Sequence, residues 1–565
     1  AFTIIEREKK LGRSIKVINV ESGLGASGIP HIGSMGDAVR AFGISLALQN
    51  IGYRSELIAF SDDLDGLRKV PAGLPDWLNE YLCIPVSSIP DPFGDCHESY
   101  GMHMSSLLLD GLEKVGVNYK FKSGTDVYKS GELTNQIHNI LINSKIIGDK
   151  IANITGQQKY IKFLPFFPIC QQCGRLYVAN ATEYFPDERK LSYSCIGNTI
   201  NKKQINGCGH QGEVKIENGG GKLAGKVEFA ARWNAFDIRF EAFGKDIMDS
   251  VRINDWVASE ILKFHHPLHI KYEMFLDKGG KKISKSSGNV LTPQMWLKYG
   301  TPQSLMLLLY KRISGTRHVS IDDIPILMDE YDLYEDIYFD KIKETNKNKS
   351  IKFKGIYEYI NNLIPPQKPQ IHVPYRILIQ QSELFIDLKI NSIKKIYERL
   401  EKYGLINEEN PLLTNKINLA MKWAREFREV YDDNVDNDAK NDGGINILLE
   451  KNQKKAINEV LSQLNTIADE LEKSDPSQPL DFNDKNNGKK QGEEGEKEDH
   501  GEEDLNQKIQ TIIYTKSKEN NILPKDFFKL FYKILINAER GPRLGNYIVD
   551  LGIKNVVNKI GNKIK

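Results

Sequence analysis

A chain of 565 residues is too long for one compact domain and reads as three or four units. Its 40% hydrophobic content supports real cores and its 27% charged content suits a soluble protein. The formal charge of +2 excludes the overall basic field that would announce a nucleic-acid partner, and no run approaches the ~18 apolar residues needed to cross a bilayer.

The start, AFTIIEREKK, lacks the sustained apolar region of a secretory signal. Residues 15–20 (IKVINV) then form an apolar strand that ends in a Gly-rich stretch, ESGLGASGIPHIG. Helical spacing follows over 35–51, with Val39, Phe42 and Leu46 on one face, and a second strand over 54–60 closes on Ser61-Asp62-Asp63. Strand, glycine loop, helix, strand opens a parallel, doubly wound α/β sheet, in which ligands bind at the carboxyl ends of the strands. A helix is expected at 104–115 and a strand at 271–276 (KYEMFL). Four of the six cysteines fall between 170 and 208, which reads as metal binding in a reducing cytoplasm rather than as a disulfide scaffold. Helical Lys/Glu/Leu/Ile-rich pattern dominates from 331 to 565, interrupted at 474–505 by a polar, charge-dense stretch expected to be disordered.

Two short elements carry the chemistry. In PHIGS at 30–34, His31 stands at the mouth of a glycine loop near a helix start, and Gly28 and Gly33 would let backbone approach a nucleotide. In KISKS at 282–286, Lys282 and Lys285 lie three apart among Ser284 and Ser286, and can close over a triphosphate as point charges. One such string alone carries little; the pair, about 250 residues apart in that order, resembles the HIGH and KMSKS signatures of class I aminoacyl-tRNA synthetases. The fourth position of the first element is Ser34, which can donate a hydrogen bond but carries no charge.

ASGIPHIGS, FSDDLDGLRKVP at 60–71, IPDPFGDCHESYGMH at 89–103, AARWNAFDIRFEAFGKD at 230–246 and FFKLFYKILINAERGPRLG at 527–545 are together similar to the class I lysyl-tRNA synthetases of archaeal type. That resemblance spans nearly the whole chain and is weakest over 340–520. It implies a Rossmann-like catalytic domain in two halves (1–160 and 226–330), split by a zinc-finger insertion (161–225), with an all-α anticodon-binding region at 331–565. It also implies ATP-dependent attachment of L-lysine to tRNA(Lys) through a lysyl-adenylate, with Mg2+ accompanying ATP. The rival readings are a class I synthetase for another amino acid, such as glutamate, and a tRNA-independent nucleotidyltransferase.

A lysine pocket needs a carboxylate for the ammonium and aromatic walls for the aliphatic stem. Asp62, Asp63, Asp65, Glu241, Trp233 and Tyr272 are the candidates, and Ser22 and Gly23 would frame the amino acid's own ammonium and carboxylate. Cys170 and Cys173, with two residues between them and Gly174 following, make half a tetrahedral zinc site; Cys195 and Cys208 complete it, with His210 as a substitute for Cys208. The resemblance implies a second zinc on Cys96, His97, His103 and an aspartate, Asp91 or Asp95. Arg540 and Arg543 are the candidate tRNA contacts.

Overall fold

Five short runs form parallel strands in one sheet: β1 (Ile18–Leu24), β2 (Ser55–Ser61), β3 (Lys120–Ser123), β4 (Ile238–Gly244) and β5 (Leu268–Tyr272). Their spatial order is β5-β4-β1-β2-β3, so the winding reverses between β1 and β4. The carboxyl ends of those two strands are therefore the crevice where such sheets bind ligands. The apolar run at 15–20 places β1 too early. Glu21 and Ser22 are polar, yet both are buried and paired in register with β2, so the strand continues to Leu24. The strand expected at 271–276 is two pieces: β5 ends at Tyr272, and Phe275–Leu276 pairs separately with Arg317–His318.

The computed structural model describes residues 1–94, 96–273, 275–277, 291–312, 315, 317–385, 392–427, 449–473, 500–536 and 543–564. They fall into two compact units, Ala1–Pro369 and Gln370–Lys565. In the first unit, helix α1 (Phe2–Lys10) precedes the sheet, α2 (Ile32–Asn50) joins β1 to β2, α3 (Tyr100–Lys114) leads to β3, and α4 (Glu228–Ala235) leads into β4. The helix expected from 104 begins earlier, at Tyr100, because the Ser99 side chain caps it by accepting the Met102 N–H at 3.2 Å.

Between β3 and β4 sits an inserted module, closed at its base by antiparallel pairing of Phe166–Pro168 with Gly221–Leu223. It holds three antiparallel strands, Ala179–Phe185, Lys190–Cys195 and Gln211–Lys215, and a small hairpin of Asn198–Ile200 with Lys203–Ile205. The first unit also keeps the helix Asp323–Tyr338, which straddles the boundary expected at 331, and the helix Lys347–Ile360, expected in the helical region. Aromatic packing holds them together: Tyr334 stacks on Phe353 with ring centroids 4.5 Å apart, and the buried Tyr357 hydroxyl donates to Glu335 at 2.7 Å.

Every secondary-structure element among the described residues of the second unit is a helix, from Tyr375–Phe385 to Ile553–Ile564. Most of the 474–505 stretch lies outside the described residues, but its last part is the start of the helix His500–Glu519. No helix among the described residues is long and apolar enough to cross a membrane.

One buried acid fastens α1 to the sheet. Glu8 is fully buried; Arg13 lies 3.3 Å from it, and Arg239 of β4 pairs with it directly. Replacing one partner of a buried ion pair leaves uncompensated charge. Glu8→Ala is expected to lower unfolding stability by about 3 kcal/mol, measured by urea denaturation.

Candidate active site and metal centres

The loop that leaves β1 turns into α2 at His31, whose backbone is extended and whose Nδ1 accepts the Ser34 N–H at 3.2 Å. His31 is thus the helix N-cap, a place normally taken by Ser, Thr, Asp or Asn. Because Nδ1 is an acceptor, the proton of the neutral ring sits on Nε2, the tautomer that can donate to a phosphate oxygen. Gly33 has a steric reason beyond backbone access: a Cβ there would stand 2.8 Å from the His31 ring.

KISKS lies outside the described residues, with Lys282, Ser284, Lys285 and Ser286, but both its flanks meet the His31 turn. Leu291 accepts the Ile32 N–H at 3.0 Å, and the Phe275 ring lies 3.8 Å from where a Gly33 Cβ would be.

Beside this turn, Arg232 of α4 is buried in a ring of acids. Its Nε lies 2.8 Å from Glu21 (close, though poorly aligned for a hydrogen bond), its Nη1 donates to Asp62 at 3.2 Å, and its Nη2 lies 3.8 Å from Glu241. Phe60 and Phe229 face the guanidinium at 4.3 and 5.0 Å. The Trp233 indole N–H donates to Glu241 at 2.5 Å. Gly23 borders the group, a Cβ there standing 3.9 Å from both Arg232 and Asp62, and the Ser22 hydroxyl is buried without a hydrogen-bond partner among the described residues. Burial pushes Glu21 up to about 8 and Asp62 up to about 7, against the pull of Arg232, and Glu241 is raised for the same reason.

Of the sequence candidates, Ser22, Gly23, Asp62, Trp233 and Glu241 therefore converge. Asp63 does not. Its carboxylate accepts the Ser123 hydroxyl at 2.5 Å and the Thr125 N–H at 2.7 Å, tying β2 to the turn after β3. Tyr272 stands in a neighbouring group with Asp37 and Arg40, whose guanidinium lies 4.3 Å from its ring, and burial raises Asp37 to about 7.

Sequence reasoning missed Glu21, Arg232 and His269. The first two look like a polar end to a strand and an ordinary helix arginine; an arginine set among alanines in AARW is the signal that was there. His269 on β5 has Nδ1 3.1 Å from the Glu241 carbonyl and Nε2 2.9 Å from Asp255. Two acceptors on one ring call for the imidazolium; burial opposes it, and Asp255 with Glu241 raises the pKa regardless.

Three clusters among the described residues have metal-holding geometry, two with cysteines and a third of Asp255, His266 and His269. Cys170, Cys173, Cys195 and Cys208 bring their sulphurs within 4.8 Å of one another, with Cys170–Cys208 at 3.6 Å and Cys173–Cys195 at 3.8 Å. Four thiolates at about 2.3 Å from one ion stand about 3.8 Å apart. Cys208, not His210, completes this group. Gly174 (φ +70°) and Gly209 (φ +81°) take the left-handed backbone that the two tight turns require. Burial raises the Cys170 thiol, but backbone N–H groups of Cys173 and Gln172 outweigh it, and its pKa falls to about 7.

Asp91, Cys96, His97 and His103 form the second cluster, and all six separations among their ligand atoms fall between 3.0 and 3.6 Å. That is close to the tetrahedron drawn by bonds of about 2.0–2.3 Å. Asp91 is the aspartate brought in; Asp95 lies outside the described residues. Arg540 is also outside them, and the exposed Arg543 donates to Gln507 at 2.9 Å.

A family model described as tRNA synthetases class I (K) matches residues 1–362. A lysine–tRNA ligase of Cenarchaeum symbiosum (strain A) is 46% identical over 564 residues, covering 100% of this chain and 97% of that protein. A lysine–tRNA ligase of Rickettsia felis is 28% identical over 550 residues, covering 96% and 92%. Among solved structures, a glutamate tRNA ligase from Elizabethkingia meningosepticum is similar at 10% identity and a TM-score of 0.32, covering 97% of this chain and 99% of that one.

Raised carboxyl pKa values set a sign for stability. Unfolded, Glu21 and Asp62 lose their protons near pH 4, whereas folded they keep them to about 8 and about 7. The folded chain then binds more protons, so their contribution falls as pH rises from about 4 and is lost above about 8. Glu21→Gln is expected to flatten this decline, read as denaturation midpoints at about pH 5 and about pH 8.

Proposed function

The chain belongs to the tRNA synthetases class I (K) family, and on that premise we propose that it attaches L-lysine to tRNA(Lys) at the expense of ATP, through an enzyme-bound lysyl-adenylate. One observation carries the choice of amino acid. Around Arg232, three carboxyl groups, from within β1, from the turn after β2 and from within β4, face a single guanidinium. Burial holds these acids partly protonated, and an entering cationic substrate would draw them back to the ionised form, leaving up to two negative charges in excess of Arg232; that suits a substrate with two ammonium groups and disfavours glutamate. Trp233 supplies apolar surface for the methylene stem, and Ser22 and Gly23 border the α-ammonium and carboxylate. The full-length identity to a lysine–tRNA ligase supports the same reading.

In the first step the lysine carboxylate attacks the α-phosphate of Mg-ATP, the bond to the β-phosphate breaks and pyrophosphate leaves. Negative charge builds on the phosphoryl oxygens, and fixed donors and cations must meet it there. His31 donates from Nε2, and Lys282 and Lys285, with Ser284 and Ser286, close from the segment anchored beside it. Gly28, Gly33 and Ser34 line the nucleotide turn, where the α2 N-terminus adds its dipole. In the second step the 2′-hydroxyl of the terminal tRNA adenosine attacks the lysyl carbonyl and AMP leaves. Arg540 and Arg543, in the helical unit, are assigned to the tRNA.

Cys170, Cys173, Cys195 and Cys208 would hold one zinc ion, and Asp91, Cys96, His97 and His103 a second, both structural. Reduced thiolates of this kind suit the cytoplasm.

Pyrophosphate exchange run with each amino acid in turn tests the function: exchange with lysine is expected, and exchange with glutamate alone, or with none, overturns it. Lys285→Ala is expected to cut adenylate formation about 100-fold while leaving lysine affinity within about twofold. Equal losses in both would assign Lys285 to folding. Chelation is expected to release zinc and unfold the inserted module first, seen as proteolysis within 161–225.

A further inference from the structure

The turn that carries Asp62 is held from outside the catalytic sheet. Asp62 N–H donates to the Leu24 carbonyl at 2.9 Å, and the Asp62 carbonyl accepts the Asp65 N–H at 3.1 Å, so residues 62–65 form one tight turn on the end of β1. What fixes the far side of this turn comes from the inserted module. The buried Tyr177 hydroxyl accepts the Gly66 N–H at 3.2 Å and the Arg68 guanidinium at 3.1 Å, and that guanidinium lies 4.7 Å from the Tyr177 ring. Lys222, at the base of the module, is buried between Asp65 and Glu228, the latter at 3.1 Å and also accepting the Tyr128 hydroxyl at 2.8 Å.

The fit is close. Tyr177 adopts a left-handed backbone (φ +62°), uncommon for a residue with a bulky side chain. A Cβ on Gly66 would stand 2.8 Å from the Tyr177 ring and 3.0 Å from the Cys83 carbonyl oxygen. That same carbonyl accepts the Leu176 N–H at 2.7 Å, and Asn201 of the small hairpin donates to the Arg68 carbonyl at 3.3 Å. The four-cysteine module therefore reaches the amino-acid site through a chain of direct contacts, with Tyr177 four residues beyond Cys173.

We propose that Tyr177 and Lys222 are positioning residues for amino-acid recognition: they hold the turn at 62–66 so that Asp62 stays on Arg232. This rests on reading the Arg232 acid group as the lysine site. It gives the metal-bearing module a part in substrate affinity beyond the folding of its own strands.

Tyr177→Phe removes only the hydroxyl and keeps the ring. In the full-length protein it is expected to raise the lysine Kd by calorimetry, and the lysine KM in pyrophosphate exchange, by roughly five- to tenfold. The ATP KM and the zinc content per chain stay as in the wild type. Gly66→Ala, which presses on the same contact from the other side, should act in the same direction. Tyr184→Phe is the control, because that hydroxyl ties the module to His138 at 2.7 Å, away from the turn. It is expected to lower the melting temperature and leave lysine affinity alone. Wild-type lysine affinity in Tyr177→Phe, or an equal loss in Tyr184→Phe, overturns the proposal. Absence of lysine binding by the wild-type chain itself would instead sink the functional reading on which it rests.

Discussion

A guanidinium taken out of water is costly unless carboxylates and hydrogen bonds replace the solvent it loses, and Arg232 is almost wholly buried. Its three acids come from separate places: Glu21 from inside β1, Asp62 from the turn after β2, Glu241 from β4. The arginine itself belongs to the helix that enters β4. None of these positions is tolerable alone. Together they tie the strands at the reversal point of the sheet to one guanidinium, and they gather three carboxyl groups beside the crevice. The sheet's architecture and the grouping of acids at its crevice thus have one origin.

Much of this was legible in the residues. PHIGS announced the loop and helix at the first strand end, and the cysteine spacing marked the module in which four sulphurs converge. What periodicity could not convey was burial of polar side chains. Glu21 and Ser22 break an apolar run, so pattern reading ended β1 before its most important residue. Asp62 and Asp63 are adjacent and chemically alike, yet one faces Arg232 while the other ties β2 to Ser123 and Thr125. Both lie in the turn beyond β2, where strand alternation no longer sets direction, and only the fold says which one meets Arg232. Tyr357 and its aromatic partners show the same limit at the scale of a unit, since helices that read as one continuous helical region pack with the catalytic unit instead.

The two cysteine- and histidine-bearing clusters also differ in what sequence could settle. For the four cysteines, spacing sufficed to propose the group, and geometry decided only between Cys208 and His210. For the second, Asp91 lies five residues before Cys96, and its carboxylate also accepts the Phe93 N–H at 2.9 Å. That local turn folds the chain back so one short segment supplies an acid, a thiol and two imidazoles.

The pinned flanks beside His31 have a kinetic meaning. On the proposed role of Lys282 and Lys285, flanks held near this turn would give those lysines an effective concentration of about the millimolar range toward a triphosphate bound there. Meeting the triphosphate is then an intramolecular event, and its frequency is set by tether length rather than by bulk encounter. Lengthening the tether would dilute the lysines without altering a single contact. The spacing between Leu276 and Leu291 is in this sense a rate parameter written into the chain.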